Sequence, residues 1–444
     1  MKQLSEYNFF DPEVIECPYE FYKLAREQAP VMELPGSMPK AKLFLVTRYD
    51  LVIEILKNAE LFSSNFSSLL AGKEEQDEEL QKIHAQGWPQ VNTLLTADPP
   101  EHERFRTLVN KAFTTSRVKK MQDYIKLVVD ELIDNFINKG ECEFISEFAV
   151  PLPVKVIAAQ LGVPQEDVPK FKKWSDSFIA RLGHMLSKEQ EIECARDVVA
   201  FQHYFNNIIE QRRQEPKDDI ITDLVQAEIA GERSSVYAQP SFAWFPEESS
   251  EEIRSTSGVG RAPRSLDTAE LLNILQQLLV AGNETITSAI AGGMLFLIQN
   301  PEQISLVQEE PSKLENLVEE ILRMESPTAG MWRIVQQDTE LKGVELPAGS
   351  LVMVRFDSAN RDPAKFEDGE RFNVCRQNAE NHLAFGHGIH FCVGAMLARK
   401  EMQIAYERLL LRLKNIRLAE GKNDLKHFPN VLMRGLKHLY IEFH

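Results

Sequence analysis

The stretch Phe385-Gly386-His387-Gly388-Ile389-His390-Phe391-Cys392-Val393-Gly394 decides how the rest of the chain is read. Cys392 sits in a loop punctuated by three glycines, and an apolar helical pattern (Ala395, Met396, Leu397, Ala398) begins at once. Glycines at 386, 388 and 394 remove side chains where a backbone must turn tightly or approach something flat and large. A thiolate at the mouth of a helix is stabilised by the positive end of the helix and its free N–H groups. An axial ligand to haem iron needs these things: a deprotonated sulfur, held rigidly and shielded from water. The competing reading, a buried structural cysteine, fits most lone cysteines. It does not explain the spacing of Phe385, Gly388, Cys392 and Gly394.

A second stretch, Ala281-Gly282-Asn283-Glu284-Thr285, interrupts an otherwise apolar helical pattern. Glu and Thr beside a mid-helix Gly are costly without partners. Thr285 can satisfy its hydroxyl on the carbonyl of Ala281 and bend the helix. The functional reading adds an acid–alcohol pair that relays protons. A third, Glu320-Ile321-Leu322-Arg323, places an acid and an arginine on one helical face, where a plain salt bridge is the simplest outcome.

Composition sets the outer bounds. The chain has 444 residues, 43% of them hydrophobic, which is ample for a large core. Its 67 acidic and 50 basic residues give a net charge of -17, which argues against a nucleic-acid footprint. Five scattered cysteines (Cys17, Cys142, Cys194, Cys375, Cys392) make no disulfide framework and no paired metal motif, pointing to a reducing, cytoplasmic setting. The N-terminus lacks the apolar core of a signal peptide or anchor. The longest apolar region, Ile274 to Ile298, carries Gln276, Gln277, Asn283 and Glu284, so a membrane span is not expected.

Along the chain, helical periodicity starts at Tyr19, a strand is expected at 43–47, and a helix at 49–56. Residues 61–96 read as a long loop whose acidic run, Lys73 to Leu80, is a solvated face. Asp98-Pro99-Pro100-Glu101 reads as a helix start with Asp98 as cap. Long amphipathic helices fill 117–230, with breaks near Pro151 and Gly162. The pattern is helical again from Leu266 to about residue 325. A strand at 351–354, a helix from Gly394 to about Leu413 and a terminal β-hairpin at 431–443 complete it. The segment Ser234–Arg264, rich in Ser, Pro, Glu, Gly and Arg, reads as an insertion, with Trp244 and Phe245 as tolerated surface residues.

The cysteine loop resembles the haem-ligand loop of the cytochrome P450 family, and the resemblance runs from the first helix to the final hairpin. It implies a mainly α (α+β) fold, with a helix-rich body and small β-sheets. Haem would lie between the long central helix and the helix of the cysteine loop, in one domain over 1–444. It implies haem b on Cys392, with Phe385, Gly388, Gly394 and Ala281 around it. His102, Arg106, Arg333 and His390 would be donors to its propionates. Thr285 and Glu284 match the family's oxygen-activation pair, under a kinked, widened helix. Glu320 and Arg323 match a structural pair that locks onto an Arg ahead of the cysteine loop, here Arg371, with Gly369 standing where the family usually has Pro.

The family position assigns a substrate pocket to Trp88, Leu95, Phe178, Leu278, Thr328, Met331 and Leu432, which are mostly apolar. The expected reaction is insertion of one oxygen atom of O2 into a hydrophobic small molecule (terpenoid, fatty acid, steroid or polyketide). Electrons would come from NAD(P)H through a ferredoxin reductase and a ferredoxin, because the chain ends just after the hairpin with no fused reductase. Arg104, Lys111, Arg117, Lys119, Lys120, Arg399 and Lys400 are the candidate docking cations for an acidic ferredoxin. A monomer is expected. The competing readings are a peroxide-driven peroxygenase and a non-enzymatic haem-thiolate sensor. An intact Glu284-Thr285 pair disfavours both.

Overall fold

The computed structural model describes residues 3–35, 41–66, 77–183, 186–229 and 264–444. Most of the insertion expected at Ser234–Arg264, including Trp244 and Phe245, lies outside the described residues. At its margins, Glu228–Ile229 pairs antiparallel with Arg264–Ser265.

The body is built around one helix, Thr268–Gln299, hereafter the central helix. A reciprocal cap starts it: Asp267 Oδ1 accepts from Glu270 N (2.9 Å), and Glu270 Oε2 accepts from Asp267 N (3.0 Å). Its sequence is apolar nearly all round, and a helix of that kind must be covered on most sides. Helices Val168–Gly183, Lys188–Gln214 and Pro151–Gln160 cover one flank. Leu314–Glu325 and Ala395–Arg412 cover another. Tyr406 of the last donates to the carbonyl of Ile290 (2.8 Å), fixing the helix that follows the cysteine loop to the central helix.

A five-stranded sheet closes one side, in the order Val31–Glu33, Leu43–Val46, Leu351–Arg355, Gly330–Val335, Phe62–Ser63. Only the second and third strands are parallel, Leu351 facing Leu43. Strand Leu351–Arg355 is buried throughout, with a side-chain period of two. Val352 and Val354 join a core with Phe44, Val52 and Ile55, while Leu351 and Met353 join another with Phe21, Tyr22 and Leu45. A smaller sheet pairs Tyr440–Glu442 with Arg417–Leu418 and Glu141–Glu143. The expected terminal hairpin is present in reduced form, through the bridge His427–Leu436 and this strand.

Three local expectations change. The loop expected over 61–96 contains helix Glu78–His84, capped by Asp77, whose Leu80 and Ile83 are buried against Ala195 and Val199. Asp98 does not cap helix Glu101–Ala112: its carboxylate accepts from Ser63 Oγ and from Ser64 N (2.8 Å), pinning strand Phe62–Ser63 instead. The break expected near Pro151 is present but wider than expected: helix Thr115–Asp134 already gives way to strand Glu141–Glu143, and Pro151 then opens Pro151–Gln160, since proline at the first turn loses no intrahelical hydrogen bond.

Candidate active site

The cysteine loop is shaped by its own backbone. Gly386 and Gly388 have φ of +70° and +72°, conformations that side chains rarely tolerate. A Cβ on Gly388 would also meet the carbonyl of Leu56 at 2.4 Å, so the loop packs directly on helix Tyr49–Lys57. Cys392 N donates to Phe385 O (2.9 Å), which closes the loop on itself at the cysteine. Beside it, a Cβ built on Gly394 meets nothing nearer than Cys392 Sγ at 3.9 Å. Burial pushes the Cys392 thiol up; the N–H groups of Gly394 and Ala395 and the guanidinium groups of Arg106 and Arg399 oppose this.

The central helix presents one face to this loop. Gln277, Ala281 and Thr285, four apart, lie on a single face. Gln277 Oε1 accepts from Leu95 N (3.2 Å), and the carbonyl of Leu94 lies 3.1 Å from His390 Nδ1 in the cysteine loop. Two neighbouring residues thus tie that face to the loop. Ala281 is exposed here although Leu278, Leu279, Asn283 and Ile286 around it are buried. Thr285 Oγ1 donates to Ala281 O (2.7 Å), the local bond expected of it. The helix is nonetheless continuous over Thr268–Gln299, so the expected kink does not interrupt it.

Glu284 points elsewhere, toward helix Val168–Gly183. Its Oε1 lies 3.6 Å from Lys172 Nζ, and Lys172 is also paired with Asp176. Burial raises the Glu284 carboxyl; the Lys172 ammonium works against it and Asp176 with it.

Four nitrogen-bearing side chains meet near the cysteine. The His102 and His390 rings lie 4.1 Å apart. Arg333 is 5% exposed, with one hydrogen bond, Nη1 to Trp332 O (2.7 Å), among the described residues. Arg106 Nη1 donates to Phe391 O (2.5 Å). Neither nitrogen of His102 and not Nε2 of His390 has a partner among the described residues. Burial, with Arg333, His102 and Arg106 nearby, pushes His390 down to about 3, and burial also lowers His102. Burial brings Arg333 down to about 10, opposed by Asp98. Burial and the neighbouring arginines thus oppose the cationic form of both histidines. Buried donors gathered without an acceptor carry a desolvation cost that a bound anion removes.

These observations test the fit of a haem. A lone sulfur beside an open glycine, an exposed alanine on a buried helix and unpartnered donors for carboxylates are what an iron porphyrin requires, and the residues present fit it. Among the described residues no cluster of three or more His, Cys, Asp or Glu could hold a metal ion.

The acid–arginine lock needs a correction. Glu320 and Arg323 are fully buried and joined twice at 2.8 Å. The third member is Arg376, whose Nε is 3.2 Å from both Glu320 oxygens. Arg371 is exposed and contributes only its carbonyl, which accepts from Arg323 and Arg376. The local turn explains Gly369 as well: a Cβ there would meet Arg361 O at 2.6 Å, and Gly369 O accepts from Arg323 (2.7 Å).

The expected pocket residues are only partly brought together. Thr328 bridges to Met433, and Ala329 N donates to Leu432 O (2.8 Å), which joins that side of the set. Phe178, in ring contact with Phe201, and Leu278 belong to one buried core, with Trp88 at its edge. Met331 packs against the sheet, and Leu95 is exposed. Phe385 lies under the Arg399 guanidinium (4.6 Å) rather than free beside the sulfur.

The expected docking cations also thin out. Arg104 is held by Glu270, Arg117 by Asp218 and Asp223, Lys120 by Asp218 and Arg399 by Glu319. Lys111 and Lys119 remain exposed, and Lys400 is half-buried.

The sequence model of the family described as Cytochrome P450 matches residues 169–441. Cytochrome P450 107B1 of Saccharopolyspora erythraea is 34% identical over 436 residues, 97% of this chain and 96% of that protein. The steroid C26-monooxygenase of Mycobacterium tuberculosis is 33% identical, covering 95% and 92% of the two chains. Among solved structures, P450BioI in complex with hexadec-9Z-enoic acid ligated acyl carrier protein has 31% identity and a TM-score of 0.79, covering 98% and 99%. Among the described residues no helix is long and apolar enough to cross a membrane. The chain belongs to the cytochrome P450 family, a haem-thiolate oxidoreductase of the monooxygenase class that takes O2, a small-molecule substrate and electrons from a redox partner.

Proposed function

We propose that this chain, folded as one domain and acting as a monomer in the cytoplasm, hydroxylates a hydrophobic small molecule. It would use haem b, with electrons passed from NAD(P)H through a ferredoxin reductase and a ferredoxin. One observation carries the reading: His102, with neither ring nitrogen partnered, and His390, with its Nε2 unpartnered among the described residues, gather with Arg333 and Arg106 beside a glycine-flanked Cys392, in a loop that Leu94 and Leu95 tie to the Gln277 face of the central helix. Bound there, haem supplies the activation of dioxygen and the oxidation of an unactivated C–H bond.

The chain's own residues do the rest. Cys392 is the proximal ligand, and His102, Arg106, Arg333 and His390 hold the propionates. Thr285 holds a proton donor position on the face turned to Cys392. Glu284, kept high by burial, supplies protons from the Lys172 side. Trp88, Leu95, Phe178, Leu278, Thr328, Met331 and Leu432 would line the substrate side, which suits apolar molecules. The names of two relatives support the same class, a steroid in one and a carrier-bound fatty acid in the other. Exposed Lys111 and Lys119 and half-buried Lys400, with the exposed apolar residues Ile389, Phe391 and Met396 of the cysteine loop and the helix after it, would form the face for an acidic ferredoxin.

The test is turnover of a hydrophobic panel with NAD(P)H, ferredoxin reductase and surrogate ferredoxin, against peroxide alone. Product only with the electron-transfer proteins supports the reading. Equal turnover with peroxide alone assigns a peroxygenase, and haem binding without any product assigns a sensor.

A further inference from the structure

Residues 86–95 form a strap with no helix or strand of their own, held at both ends and along the middle, where Asn92 Nδ2 donates to Asn65 Oδ1 (2.9 Å). Its inner end is tied to the active site: Leu94 O lies 3.1 Å from His390 Nδ1, and Leu95 N donates to Gln277. Its middle is tied to the central helix, where Asn273 Nδ2 donates to Pro89 O (3.3 Å). Its outer end rests on helix Lys188–Gln214, and there the contact is built mainly from Gln202, with His203 beside it.

That helix turns Val198, Phe201, Phe205 and Ile209 into the core. Gln202, one step round, is 2% exposed although polar. A buried amide is costly unless both halves are satisfied. Both are: Gln202 Oε1 accepts from Trp88 N, and Gln202 Nε2 donates to Trp88 O, each at 2.9 Å. One side chain thus meets both backbone groups of Trp88, as a neighbouring strand would. The sequence on the strap is shaped to match. A Cβ on Gly87 would lie 2.0 Å from Gln202 Oε1, so the approach requires glycine. His203 adds a bond to Gln86 O (2.8 Å) and an edge contact with the Trp88 ring (5.3 Å).

We propose that Gln202 is a positioning residue. By clasping Trp88 it fastens the outer end of the strap to helix Lys188–Gln214 and sets the rate at which apolar molecules enter and leave the site. The proposal rests on the reading above for the place of the site, but not for the clasp itself. Lifting the outer end of the strap requires both Trp88 bonds and the His203–Gln86 bond to break, while the bonds at Leu94 and Leu95 keep the inner end in register with Cys392. The clasp therefore acts on passage and not on the chemistry.

Two measurements on the haem-loaded full chain separate these claims. Hydrogen exchange of the Trp88 segment reads the clasp, and stopped-flow binding of phenylimidazole, followed by the haem absorption band, reads passage. Gln202→Leu should speed exchange at 86–89 and raise both entry and exit rates by about tenfold, with the equilibrium constant moving far less. Gly87→Ala should do the same alone, yet add nothing in a Gln202→Ala background, because the atom it strikes is gone. Unchanged exchange in Gln202→Leu overturns the clasp. Faster exchange with unchanged entry and exit overturns its role in passage. Wild-type protein showing no absorption shift with phenylimidazole would fail the haem reading, leaving exchange to decide the clasp.

Discussion

Arg376 closes the carboxylate of Glu320, its Nε lying 3.2 Å from each oxygen, while the side chain of Arg371 stands in solvent. The two positions behave oppositely for that reason. Arg376 also donates to the carbonyls of Glu367 (2.6 Å), Asp368 and Arg371, so it knits the segment before the cysteine loop to a buried acid. Arg376→Ala is expected to cost roughly 3 kcal/mol, because it leaves a fully buried carboxylate short of one partner. Arg371→Ala should stay within about 0.5 kcal/mol, as surface changes do. Urea unfolding of the two variants checks this; equal losses would restore Arg371 to the lock.

Cys392→Ser should keep the fold, since the loop is held by the Cys392 N–H and by the glycines, which the substitution leaves in place. It should lose the thiolate signature of the ferrous carbon monoxide spectrum. An unchanged spectrum would refute Cys392 as the ligand.

What the sequence made legible follows the range of the forces involved. The cysteine loop, the central helix and the Leu351–Arg355 strand are written in local spacing, and they appear where the spacing puts them. The choice between Arg371 and Arg376 is not local, because it depends on the path of the backbone around Gly369. Helix Glu78–His84 was hidden in an acidic run; Leu80 and Ile83, three apart behind a capping Asp77, were its only signal. The downward pull on His102 and His390 comes from burial by distant elements, which spacing cannot reveal. Gln202 left a trace, a glutamine next to Phe201 on an apolar face, but its partner lies 114 residues away.

Glu319 carries an acid-sensitive part of the stability. Burial alone would raise it, yet the Arg399 guanidinium (2.7 and 2.8 Å) and a hydrogen bond from His382 hold it down at about 2. Burial lowers His382 in its turn, while the charges of His382 and Arg399 both favour the ionised Glu319. A depressed folded value means stability that is present above the ordinary 4.5 and lost as pH falls from there toward about 2. The shift corresponds to ~3 kcal/mol at most. Glu319→Gln should be less stable at neutral pH and lose less on acidification. Denaturant midpoints against pH check it, and parallel curves for the two proteins would remove the assignment.

Glu284 gives the sharpest test of proton supply, because its environment sets a direction for the pH profile. Its carboxyl is raised by burial and by Asp176, and held back by Lys172 at 3.6 Å. A raised carboxyl keeps its proton to higher pH, so a step that uses it as an acid weakens as pH rises through that raised value. Lys172→Met removes the opposing cation and should carry the falling limb of product formation to higher pH. Lys172→Arg should leave the limb near its original place. Glu284→Gln should abolish the limb and lower product formation by ~10²-fold or more, the usual worth of a positioned acid. Thr285→Ala leaves the Glu284 limb in position while cofactor consumption runs on into peroxide instead of product. If Lys172→Met left the limb unmoved while Glu284→Gln removed it, protons would reach Glu284 by another route, and the pairing with Lys172 would be structural only.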